Sequence, residues 1–145
     1  VVDVAGEARH AVDQLEQLDV EAIEVPARGS AVAIGLADLV LVDALAVGPD
    51  SALVPAGSLA AAAVARHVGV PVWTIGGVGR LMPGSMFDAL ANRWSTSVEP
   101  LEAEEELMPL ALVDRLACIG GVLDLEAALR HTDCPVAPEL FRLAG

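Results

Sequence analysis

The sequence predicts an α/β domain, a parallel sheet covered by helices in three layers. Short apolar runs alternate with amphipathic stretches along most of the chain. The run at residues 38–44 (Asp-Leu-Val-Leu-Val-Asp-Ala) is apolar through its middle, as suits a parallel strand covered on both faces. The links between these runs are short and carry Gly and Pro.

Each element follows from its pattern. Residues 1–4 read as a short buried strand. Residues 7–18 place Ala8, Ala11, Val12, Leu15 and Leu18 on one face of a helix. Residues 21–25 form a second strand, and a turn at 26–30 leads into a short helix through Ile34 that Ser30 can cap. The third strand is 38–44, followed by a Gly- and Pro-rich loop at 47–56. An alanine-rich helix runs from Ser58 to about His67 and is ended by Gly69. Residues 70–75 are the fourth strand, 76–79 a turn, and 85–94 a further helix with Pro83 near its start. The five glutamates within 99–106 suggest a solvated linker or helix face, and 107–145 is less regular.

The chain has 145 residues, one domain's worth. An apolar fraction of 54% excludes a disordered chain. The net charge is −13 and all eight basic residues are Arg, a surface that repels phosphate backbones and anionic membranes alike. Direct nucleic-acid binding and membrane association are therefore not expected. The longest uncharged stretch, 51–65, is too short to span a bilayer and is broken by Pro55. With no secretion signal visible, the expected location is cytoplasmic and Cys118 and Cys134 are expected to be reduced thiols. The chain opens inside an apolar run, which suggests a piece of a longer protein.

In open α/β sheets, ligands bind beyond the carboxyl ends of the strands. Those ends are residues 4–6, 25–29, 43–48 and 76–80. Gly57 and Ser58 open the alanine-rich helix, whose unpaired N–H groups and dipole suit a phosphate; equally, Gly57 is a turn and Ser58 a plain cap. Asp43 ends the third strand and can serve as a base or hold a sugar hydroxyl, or merely cap a loop amide. The run Gly76-Gly77-Val78-Gly79-Arg80 lacks the third glycine of a dinucleotide fingerprint, because that position is Met82. It reads instead as a loop with Arg80 facing an anion beside Gly77. His10, His67 and His131 read as surface residues, Cys118 as a buried structural thiol, Trp73 as core and Trp94 as a cover for the sheet. No metal or cofactor is expected.

Three stretches together resemble a known family: Ala37-Asp38-Leu39-Val40-Leu41-Val42-Asp43-Ala44, the helix opening Gly57-Ser58-Leu59-Ala60-Ala61-Ala62, and Gly69-Val70-Pro71-Val72-Trp73. They are similar to the translation initiation factor 2B alpha/beta/delta subunit family, which includes methylthioribose-1-phosphate and ribose-1,5-bisphosphate isomerases. Asp133 to Leu140 resembles that family's Asp-x-x-Pro-x-Glu-Leu segment. The resemblance implies a three-layer Rossmann-like parallel sheet of the NagB/RpiA/CoA-transferase type, with residues 1–145 as a single C-terminal domain. It implies an oligomer, with itself or a related subunit. It also implies a phosphorylated sugar or nucleotide at Gly57 and Ser58, with Gly77 and Arg80 nearby.

The motifs are only partly kept. The family's catalytic aspartate falls on Leu45, its Asn and Lys on Val54 and Pro55, and its Thr on Ser58. The isomerases' upstream cysteine has no counterpart in this chain. These departures point to a non-catalytic member. The alternative is an aldose–ketose isomerase acting on a sugar phosphate, with Asp43 as base.

Overall fold

The computed structural model describes residues 1–3, 8–77 and 79–130. Strand and helix alternate through the first half: β1 (Val2–Asp3), α1 (Ala8–Gln17), β2 (Val25–Pro26), α2 (Ser30–Gly35) and β3 (Val40–Asp43). Then come β4 (Ala46–Val47), β5 (Ser51–Pro55), α3 (Ser58–Val68), β6 (Val72–Ile75) and α4 (Gly84–Ser97). The chain continues with β7 (Glu105–Pro109), β8 (Arg115–Cys118), β9 (Gly121–Asp124) and α5 (Leu125–Leu129).

The ladders fall into three sheets among the described residues. β1 and β2 pair in parallel. The central sheet has the order β3-β6-β8-β9, parallel except for the antiparallel β8–β9 hairpin. The third sheet, β4-β5-β7, is antiparallel throughout. The sheet system is thus mixed rather than purely parallel, and helices flank it.

Most of the predicted order is present. The strand expected at 38–44 is β3, and the alanine-rich helix is α3. The expected loop at 47–56 is instead the β4–β5 hairpin, and the glutamate-rich stretch supplies β7. Both differ for one reason: a strand forms wherever a partner ladder is available, and the partner lies about fifty residues away in sequence. The strand expected at 21–25 shrinks to a two-residue ladder at Val25 and Pro26. The short second helix starts as expected, but Gly29 rather than Ser30 is its N-cap. The segment 107–130 is regular after all.

One core serves both larger sheets. Val40, Val42, Val72 and Leu116 of the central sheet pack with Ala52, Val54 and Met108 of the antiparallel sheet and with Ile34, Ala62, Ala65 and Ala128 from three helices. The small residues of α3 let that helix lie close on the strands. The opposite face of β4-β5-β7 is covered by α4, where Phe87 packs against Ala46 and Leu53 with Trp94 alongside. Gly48 makes that contact possible, since a Cβ there would lie 2.3 Å from the Phe87 ring.

β3 is not covered on both faces as its apolar run suggested. Val40 and Val42 are buried, but Leu41 between them is 56% exposed. Trp73 is half-buried rather than core. Cys118 is also half-buried, at the end of β8, with its thiol 3.5 Å from the Gly121 carbonyl. His10 and His67 lie on the surface as expected. His131, Cys134, the segment 133–140 and the strand end at 4–6 lie outside the described residues. No helix among the described residues is long and apolar enough to cross a membrane.

Candidate functional site

The sheet register brings two of the candidate residues together. Asp43 is the last residue of β3 and is paired across the ladder with Ile75, the last of β6. The loop leaving β6 then folds back over β4: the Val47 amide donates to the Arg80 carbonyl at 2.7 Å and the Met82 amide to the Val47 carbonyl at 2.9 Å. This return sets the Arg80 guanidinium on β3. Its Nη1 donates to Asp43 Oδ1 at 2.7 Å and to the Ala44 carbonyl at 2.8 Å. Gly77, second in the loop, accepts from the Arg80 amide at 3.1 Å through its carbonyl. The sequence placed Arg80 facing an external anion; in the fold its carboxylate partner is Asp43. Both side chains remain open to water, at 40% for Arg80 and 56% for Asp43.

The alanine-rich helix opens as the sequence suggested. Gly57 is its N-cap, with φ at +89°, a left-handed conformation that costs a side-chain-bearing residue energy and glycine almost none. Ser58 is the first helical residue rather than the cap. The Leu59 amide, one of the donors at the helix end with no intrahelical partner, donates to Glu106 Oε1 at 2.8 Å. Glu106 stands on β7 opposite Val54 of β5, and the adjoining Ala56 amide donates to the Glu104 carbonyl at 2.8 Å. A carboxylate of this chain thus takes the place at the helix N-terminus that favours negative charge. Sequence reading missed Glu106 because nothing local ties a glutamate in an acidic run to a helix start 47 residues earlier.

Two open surface hollows are present elsewhere. One of about 310 Å³ is lined by Arg66, Gly69, Val70, Pro71 and Asp114. The other, about 350 Å³, is lined by residues within 98–105, four of them Glu. Asp43, Gly57, Ser58, Gly77 and Arg80 line neither. Among the described residues no cluster of three or more His, Cys, Asp or Glu could hold a metal ion.

The mixed sheet flanked by helices makes the chain an α/β domain, and solved structures of the eIF2B-like fold are similar to it. The chain is similar to a chain of the tetrameric eIF2B-beta2-delta2 complex from C. thermophilum, with a TM-score of 0.67 at 22% identity, over 88% of this chain and 41% of that one. The translation initiation factor eIF-2B of Pyrococcus horikoshii OT3 gives 0.67 at 12% identity, over 88% of this chain and 48% of that one. The 5-methylthioribose 1-phosphate isomerase of the same organism gives 0.64 at 12% identity, over 87% and 42%. The chain spans less than half the length of each. No family model matches the sequence, and no curated protein matches it at a significant level. The structural neighbours agree with the family that the sequence motifs resemble.

Proposed function

We propose that this chain is a non-catalytic, oligomer-forming domain related to initiation factor 2B subunits. The observation that carries this reading is the Asp43–Arg80 pair. A general base must stand within hydrogen-bond reach of the proton it takes, in a site that holds the substrate. The one candidate base has an oxygen held at 2.7 Å by Arg80 and sits 56% exposed on an open surface. Leu45, at the position that the family resemblance gives to the catalytic aspartate, offers no proton chemistry. The similarity to a subunit of a tetrameric complex supports the assembly half of the reading.

The same reading puts a phosphorylated sugar or nucleotide at Gly57 and Ser58, where it competes with Glu106 for the Leu59 amide. Self-association is expected in sedimentation velocity from micromolar to millimolar chain, with no turnover of ribose 1,5-bisphosphate. A chain that stays monomeric throughout overturns the assembly half. Turnover that Asp43→Asn abolishes overturns the non-catalytic half and establishes the aldose–ketose isomerase instead.

A further inference from the structure

β7 ends the β4-β5-β7 sheet, with β5 on one side and no strand on the other among the described residues. The prolines of this ladder fix which backbone groups of β7 face outward. In an antiparallel pair, opposed residues alternate between those that exchange two hydrogen bonds and those that exchange none. Pro55 lies opposite Glu105, and Pro109 opposite Ser51. A proline has no N–H to exchange, so both pairs belong to the unbonded set. Leu53 and Leu107, midway between them, belong to it as well. Two bonds agree: the Leu53 carbonyl accepts from Leu45, just before β4, at 2.8 Å, and the Glu104 carbonyl accepts from the Ala56 amide at 2.8 Å. The N–H and C=O groups of Glu105 and Leu107 therefore point away from β5, and no described residue bonds them.

Such an edge is a template for a further strand, and the charges beside it select which one. The hollow of about 350 Å³ at the start of β7 is lined by Glu99, Glu102, Glu104 and Glu105. Glu105 accepts from the Trp94 indole at 3.4 Å, and none of the ion pairs among the described residues includes any of the four. An acidic segment is repelled here. So is a second copy of the chain, which brings the same glutamates to the contact. A strand bearing Lys or Arg supplies both of the missing partners, backbone groups for the edge and cations for the carboxylates.

We propose that the outer edge of β7 takes up an extended basic segment of another protein as an added strand, with Lys or Arg side chains of that segment in the hollow at residues 98–105. The occupant is a different protein, so the proposal stands apart from the assembly reading above. Glu105 and Leu107 each offer one donor and one acceptor. The ladder is short, so charge attraction carries much of the affinity, which therefore falls as salt screens it.

The test is fluorescence anisotropy of a short labelled peptide of alternating Lys and Val, titrated with the full chain. Binding is expected for this peptide and not for one of alternating Glu and Val. N-methylation of every amide keeps the charges of the Lys-Val peptide and removes its donors, and is expected to lower its affinity by about tenfold or more. Leu107→Pro removes an outward N–H at an edge position, where a strand tolerates proline, and is expected to weaken binding of the unmethylated peptide. The methylated peptide carries the test if that variant fails to fold. Equal affinity for the plain and methylated peptides overturns strand addition and leaves charge attraction alone. Equal affinity for the Lys-Val and Glu-Val peptides overturns the charge selection, and a chain that binds neither overturns the whole proposal.

Discussion

The Leu59 amide and the Glu106 carboxylate meet at 2.8 Å, joining the first turn of α3 to the start of β7. The contact replaces a local side-chain cap, which Gly57 cannot supply, with one from a strand 47 residues away in sequence. It ties the antiparallel sheet to the helix that covers the central one.

Glu106→Ala leaves the Leu59 amide without this acceptor and removes a negative charge from the helix N-terminus. The expected loss is about 1–2 kcal/mol. Glu106→Gln keeps an acceptor and should lose less. Urea melts of the three proteins check this, and equal midpoints would show that water caps the helix as well as Glu106 does.

Gly48→Ala forces a Cβ to within 2.3 Å of the Phe87 ring, so either the hairpin or α4 must move. The expected cost is about 1–3 kcal/mol. Phe87→Ala opens the space, and in that background the Gly48→Ala cost should shrink. A double-mutant cycle measures the coupling; additive effects would mean that the two residues do not meet.

Thr74 is fully buried in β6, and its hydroxyl has no hydrogen-bond partner among the described residues. Thr74→Val removes a desolvated polar group at nearly constant shape and should stabilise the chain by about 1 kcal/mol. A lower thermal midpoint in Thr74→Val would show that the hydroxyl is bonded in solution.

Asp114 accepts from the Val72 amide at 2.8 Å and from Arg66 Nη1 at 2.9 Å. The first contact fixes the start of β6; the second is a surface ion pair with both side chains more than a third exposed. Asp114→Ala should cost about 1–2 kcal/mol, and Arg66→Ala no more than about 0.5 kcal/mol. Equal losses in denaturant melts would place the stabilisation in the ion pair instead.

Local pattern was enough to read the scaffold. The apolar run at 38–44 reads as a strand, and the alanine-rich segment opened by Ser58 and ended by Gly69 as a helix, because both signals lie within a few neighbouring residues. The β4-β5-β7 sheet carried no such signal. Its strands include Pro55, Pro109 and two glutamates, and they exist because distant backbones complete one another's hydrogen bonds.

The candidate site divides in the same way. Asp43, Gly57, Ser58, Gly77 and Arg80 were visible in the sequence as residue types at strand and helix ends. That Arg80 reaches Asp43, and that Glu106 reaches Leu59, followed only from strand register and chain return, which act across 37 and 47 residues. The sequence by itself determined the segments whose signal is local, such as β3, α3 and β6, since propensity and periodicity are local. The tertiary structure alone decided which charges meet and which sheet face stays open, because those depend on non-local pairing.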